Sequence, residues 1–302
     1  MRALFPIFNH SKIKIISLFL QSMEGNQKKK EKKPVKKTPA KNKRRKTTKK
    51  KSRTEGLGVW IAVAVLGIVV LFSLLQRPSD LYDETGAKAH GRAYRYAVDI
   101  SHHNPGRIVW DSLHVMIDSK GRTTKSINKA NDILPVSYVI LKASEGITLK
   151  DRKFHKHWNA AREAGLGRGA YHFFRSSKNP ENQAKSYIKT VGHLRENDLP
   201  PILDIETLHK GCTRKELNDK ALAWLKIVED HYGRKPIVYS YESFINDNLN
   251  DEIRRNYPLW VARYREEKPE REGWAMWQFT DKAVVYGIDG PVDLNVISPK
   301  FK

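Results

Sequence analysis

Two acids set one residue apart, Asp204 and Glu206, close the apolar run PPILDIE at 200–206. On a strand, residues i and i+2 point to the same face, roughly 6.5–7 Å apart along the chain. Carboxylates held so close at the end of a buried run repel one another, so one of the two tends to keep a proton near neutral pH. A proton donor beside a charged carboxylate is the equipment of a glycosidase. The ordinary reading is that an acid after a strand starts or caps the next helix. The rest of the chain decides between the two.

The pair needs a scaffold, and the chain supplies alternating strand-like and amphipathic segments. Strand-like runs occur at 96–101, 136–144, 169–174, 201–205, 236–241, 259–264, 275–279 and 292–296. Helical spacing of apolar residues predicts helices at 151–166, 179–194 and 213–232, and one within 243–256. Asn179 with Pro180 reads as a cap and first turn, and Gly233 as a stop. Strands alternating with helices predict a barrel. The gaps 265–274 and 280–291 are too short and too rich in Pro, Gly and charge for helical crossovers. The expected fold is therefore an α/β, irregular β/α barrel: about five β/α units closed by three helix-poor strands, at least one of them antiparallel. The connection at 112–135 is unusually long, with a hairpin expected at 114–127 turning at 119–122. Its default reading is a neutral surface hairpin.

Function in such a barrel gathers at the C-terminal strand ends. In order these ends carry Asp99, Glu145, Tyr171 with His172, Asp204 with Glu206, Tyr239 with Tyr241, Trp277 with Gln278, and Asp293. Carboxylates among aromatic faces suit a sugar, whose C–H faces stack while its hydroxyls hydrogen-bond. A phosphate would call for Arg, Lys or a Gly-rich loop. Tyr171, Tyr239 and Trp277 read alternatively as core, Asp293 as a turn cap, and Glu145 as a residue that holds its loop. His102, His103 and His172 with Asp99 raise a zinc reading, as in a metal-dependent polysaccharide deacetylase, but the spacing lacks a helical ligand pair. No metal and no cofactor is expected.

The segments VDISHHNPGRIVW, ILKASEG, GAYHFFR, PPILDIE, IVYSYESF, WQFT and VDLN occur in the order found in glycoside hydrolase family 25 lysozymes, which the chain resembles over about 94–297. The resemblance implies an irregular barrel that cleaves the β-1,4 bond between N-acetylmuramic acid and N-acetylglucosamine in peptidoglycan. By the same resemblance Glu206 is the general acid. Asp204 is either the nucleophile or the group that orients attack by a substrate N-acetyl. Asp99 and Asp293 flank the cleft, Tyr171, Tyr239 and Tyr241 contact sugar, and Trp277 with Gln278 forms part of the floor. A non-enzymatic wall-binding barrel is the alternative.

The formal charge of +23 is concentrated at the N-terminus. Residues 1–53 hold 19 of the 56 Lys and Arg against only Glu24 and Glu31. A nucleic-acid partner is not indicated, because the excess belongs to a tail with too few apolar residues to fold. Residues 57–75 carry no charge, and 19 residues at about 1.5 Å each span roughly 28 Å, close to a hydrocarbon core. The domain expectation is thus a disordered basic cytoplasmic tail at 1–56, a transmembrane helix at 57–75, a linker at 76–93 and a hydrolase barrel at 94–302. Met23 is an alternative start. The positive-inside rule makes this a single-pass cell-membrane protein with its catalytic domain periplasmic or extracellular. Expected partners are peptidoglycan glycan strands and, through one helix, the membrane; oligomeric state is not legible. Cys212 is the only cysteine and sits in a loop before Thr213 and Glu216, so no internal disulfide and no catalytic thiol are expected.

Overall fold

The computed structural model describes residues 86–104 and 106–301. Eight strands form a closed barrel in the order β1 (Arg95–Ile100), β11 (Val292–Ile297), β10 (Met276–Ala283), β9 (Leu259–Ala262), β8 (Ile237–Tyr241), β7 (Ile202–Asp204), β6 (Gly167–Phe173) and β4 (Ala130–Glu145), with β4 pairing back onto β1. All eight fall on the apolar runs read from the sequence. Every junction is parallel except those of β11, which runs antiparallel to both β1 and β10.

Four crossovers are helical. They are α1 (Phe154–Glu163), α2 (Pro180–Val191), α3 (Arg214–Tyr232), and the pair α4 (Glu242–Asn248) and α5 (Asp251–Asn256). The expectation of about five β/α units is corrected to four. The first crossover holds a single 3-10 turn (Trp110–Ser112), the hairpin of β2 (His114–Asp118) and β3 (Thr123–Thr124), and the N-terminal half of β4. Buried Val115, Met116 and Ile117 and a left-handed Gly121 (φ 78°) favour strand and turn there over helix. β4 is long enough to pair with β2 at one end and the barrel at the other, where the short β5 (Leu149–Lys150) also pairs with it.

Local chemistry sets the helix boundaries. The Asn179 side chain accepts from the Asn182 N–H, with Pro180 at the first helical position. Thr213 and Glu216 cap α3 reciprocally, and Gly233 ends it with φ 62° in the left-handed region.

The core forms two shells. Ala97, Ile140, Ile202, Ile237, Trp260 and Met276 fill the barrel interior. The opposite strand faces, including Val98, Leu141, Leu203 and Trp277, pack with Phe154, Tyr187 and Trp224 of the helices. Strand period alone divides the shells, since neighbouring residues point to opposite faces. Near the start of β6 a buried pair lies against Trp158 of α1: Arg168 donates from Nε and Nη2 to the two oxygens of Asp198, each at 2.7 Å. Residues 86–90, expected as linker, lie against the hairpin: Thr123 N–H donates to Ala87 O and Ala89 N–H to Gly121 O.

The predicted membrane span at 57–75 and the basic tail lie outside the described residues. Among the described residues no helix is long and apolar enough to cross a membrane. The longest, α3 at 19 residues, buries Leu217, Ala221, Trp224, Leu225 and Val228 and keeps charged residues on its other face. This corrects the membrane-anchored reading. The transmembrane helix as part of the fold, the membrane as partner and the single-pass location have no support in the described residues and are not carried forward.

Candidate active site

The parallel strands end at one rim, and β11, running the other way, begins there. The rim surrounds a cleft of about 400 Å³. β1 contributes Asp99, β6 Tyr171, β7 Asp204 and the following Glu206, β8 Tyr239 and Tyr241, β10 Gln278, and β11 Asp293; all eight line it. Asp99 and Asp293 are register partners across the antiparallel β1–β11 junction. The same cleft therefore collects every expected site residue except one.

The exception is Trp277. Its indole is fully buried in the outer shell and donates from Nε1 to Arg263 O at 2.8 Å. His90 and Phe279 contact its ring. Adjacent strand residues alternate faces, so placing Gln278 in the cleft turns Trp277 away from it. The interior indole is instead Trp260, whose Nε1 donates to Asn295 Oδ1 at 2.8 Å. Sequence reasoning missed Trp260, Tyr264 and Asn295. Trp260 and Tyr264 stand at positions i and i+4 of one run, and Asn295 lies two residues beyond Asp293, so the same period was the available signal.

A polar relay fixes Asp99. Tyr239 and Tyr264 donate their hydroxyls to Gln278 Oε1, at 2.7 and 2.8 Å. That turns the Gln278 amide nitrogen to Asp99 Oδ2 at 3.0 Å, where Asn295 Nδ2 also donates, at 2.7 Å. Two donors on one oxygen favour the charged form of Asp99, although burial pushes its pKa up. Asp293 is raised to about 9 by burial and by the charge and hydrogen bond of Asp99. The two acids titrate as a coupled pair, and burial with the Asp99 charge favours the proton on Asp293.

The β7 pair is more deeply strained electrostatically. Burial and then the neighbouring Glu206 drive the Asp204 pKa well above the carboxylate range, against the pull of Lys142. Burial also raises Glu206, opposed by the Tyr239 hydroxyl and reinforced by Asp99. Asp204 is 5% exposed, and its buried Oδ1 meets no hydrogen-bond partner among the described residues. A buried acceptor without a donor is costly unless a ligand supplies one.

Glu145 has another role. Lys142 Nζ donates to its Oε2 at 2.6 Å and Arg175 donates to its Oε1 from Nε at 2.9 Å. Despite burial, these two cations hold Glu145 below its usual pKa. Of the three histidines considered for a metal, His103 lines the cleft and the other two are engaged elsewhere. His102 Nδ1 lies 2.8 Å from Asp151 Oδ2. His172 is buried in the outer shell between Ser144 and Gln183, stacked on Trp224, and burial lowers its pKa to about 4. Among the described residues no group of three or more His, Cys, Asp or Glu is placed to hold a metal ion.

Over residues 98–288 the chain matches the Glycosyl hydrolases family 25. The chain belongs to that family. It is 41% identical over 165 residues to the uncharacterized protein YegX of Escherichia coli K12, covering 54% of this chain and 60% of that one. It is 32% identical over 165 residues to an autolytic lysozyme of Clostridium acetobutylicum, covering 54% and 49%. The matched region thus spans about half to three-fifths of these relatives. Among solved structures, a bacterial lysozyme from Streptomyces coelicolor shares the fold with a TM-score of 0.57 at 24% identity, over 68% of this chain and 93% of that one. A muramidase from Trichobolus zukalii gives a TM-score of 0.54 at 25% identity, over 67% and 93%. The matched family is one of glycosyl hydrolases.

Proposed function

We propose that the domain at 94–302 is a muramidase that cleaves the β-1,4 bond between N-acetylmuramic acid and N-acetylglucosamine in peptidoglycan glycan strands. The observation that carries this reading is the acid pair at the end of β7, with buried Asp204 Oδ1 left without a donor among the described residues inside a cleft of acids and phenols. Lysozyme and muramidase relatives support the substrate class.

Glu206 is the general acid. The deeper burial of Asp204 favours the shared proton there before substrate binds. A substrate N-acetyl N–H donating to Asp204 Oδ1 stabilises the Asp204 anion and returns the proton to Glu206, which then protonates the leaving oxygen. Asp204 so oriented steers the acetamide oxygen toward the anomeric carbon, rather than attacking it. Asp99 and Asp293 set the field opposite the pair, Tyr171 and Tyr241 contact sugar, and Tyr239 with Gln278 holds Asp99.

The test is Glu206→Gln, assayed for soluble muropeptide release and by intact-mass spectrometry. Release falls by about 10²–10⁴-fold with the fold unchanged, as loss of a general acid requires, and no covalent glycosyl adduct accumulates. Near-parental release would remove Glu206 from the acid role. An adduct on Asp204 would make it the nucleophile.

A further inference from the structure

One wall of the cleft is cationic, and the reaction as described does not use it. Phe173, at the end of β6, is flanked by two cations: Lys142 Nζ lies 4.9 Å and Arg175 Cζ 4.6 Å from its ring centroid. Glu145 bridges the same two side chains. Two cations against one carboxylate leave a net positive charge in the lining, next to Asp204, the register partner of Phe173.

Arg175 is the member built for a ligand. Its backbone N–H donates to Gln183 Oε1 at 2.9 Å, and Gln183 Nε2 returns a bond to Arg175 O at 3.0 Å. Gln183 is fully buried, so the arginine is held at its base. The guanidinium lies over Phe173 and is tied to Glu145 through Nε and Nη2, while Nη1 has no hydrogen-bond partner among the described residues. The side chain is 43% exposed, against 9% for Lys142. A stacked guanidinium, fixed on one edge and open on the other, is arranged to receive a carboxylate.

The surface beside it is apolar. The turn after β4 abuts this segment, with Gly146 N–H donating to Phe173 O at 3.1 Å and a Cβ on Gly146 falling 3.4 Å from Arg175 Cγ. Ile147 and Leu149 stand exposed on that turn, at 36% and 44%. An open guanidinium beside an apolar knob matches a short peptide with small side chains and a free carboxylate.

We infer that Arg175, backed by Lys142 and Glu145, binds a substrate carboxylate, and that the stem peptide of the muramyl residue supplies it. This rests on the muramidase reading. The lactyl carboxylate of a peptide-free muramyl unit offers the same chemistry, and the assay separates the two sources.

Full-length protein and its Arg175→Gln variant are compared on three glycans from one peptidoglycan preparation. The first carries stem peptides, the second has them removed to leave lactyl carboxylates, and the third keeps its peptides with the carboxylates converted to methylamides. On the first, Arg175→Gln raises KM about tenfold, the order expected for one charge-assisted contact, with kcat within about twofold. The gap closes on the methylamidated glycan. Arg175→Lys, which keeps the charge but loses the fork, recovers part of the affinity and supplies the readout if the glutamine variant melts early. An equal KM effect on the peptide-free glycan would overturn the stem-peptide source in favour of the lactyl group. No effect on the first glycan, or the same effect on the methylamidated one, would overturn the carboxylate site. If the unmodified protein cleaves none of the three, the muramidase reading fails instead.

Discussion

Asn295 donates from Nδ2 to Asp99 Oδ2 at 2.7 Å, and Asp293, two residues earlier on the same strand face, hydrogen-bonds the same carboxyl group. One strand therefore carries both the amide that favours charge on Asp99 and the acid of the pair on which the proton is favoured. The donors on Asp99 favour its charged form against the pull of burial. Asn295→Ala removes one of them and pushes the Asp99 pKa further up. The acid limb of the pH profile of kcat/KM then moves to higher pH, and the rate at pH 5 falls about tenfold, as a shift of about one pKa unit implies. A uniform loss with an unmoved limb would show that Asn295 acts only by packing.

Asp293 links the site to stability. Its folded pKa of about 9 lies above its ordinary 3.8. A group raised in the folded state contributes stability that is fully present below its unfolded pKa and is lost as pH rises through the folded value. Between about pH 4 and pH 9 the parent Tm therefore declines with pH through this group. Asp293→Asn keeps a donor toward Asp99 but carries no titrating proton, so its Tm falls less steeply over that window. Thermal melts at matched pH values check this, and parallel slopes for the two proteins would contradict it.

Below the cleft, Arg168 and Asp198 are 4% and 3% exposed at their side chains, and the Arg168 guanidinium lies 4.0 Å from the Trp158 ring centroid. Asp198→Ala leaves an uncompensated buried charge and lowers stability by about 3–5 kcal/mol. Arg168→Met with Asp198→Leu recovers most of that, because both charges leave together. Denaturant unfolding measures the difference; a loss below about 1 kcal/mol for Asp198→Ala would contradict a buried ion pair.

Much of this site could be read from strand period and residue type. A carboxylate or amide inside an apolar run, such as Asp99, Asp204 or Gln278, has few reasons to be there except a cleft. Trp277 failed the same logic, because aromatic character was weighed above alternation: its neighbour Gln278 already occupied the inward face. Trp260 was hidden because an indole in an apolar run looks like core, and it is both core and cleft wall. The eight strands were legible from their apolar runs. The hairpin expected at 114–127 is present as β2 and β3, and because it fills the first crossover with strand and turn, only four crossovers carry helices and not about five. Hydrogen-bond direction at Gln278 has no sequence signature; it follows from two phenols converging on one oxygen.

The central claim concerns the bond cleaved, and the digest itself reports it most directly. Peptidoglycan treated with the full-length protein, borohydride-reduced and analysed by tandem mass spectrometry, reveals which sugar carries the new reducing end. The account predicts disaccharide muropeptides ending in reduced N-acetylmuramic acid, absent from the Glu206→Gln digest. Reduced N-acetylglucosamine at the new ends, or acetate release with the glycan chain intact, would contradict it.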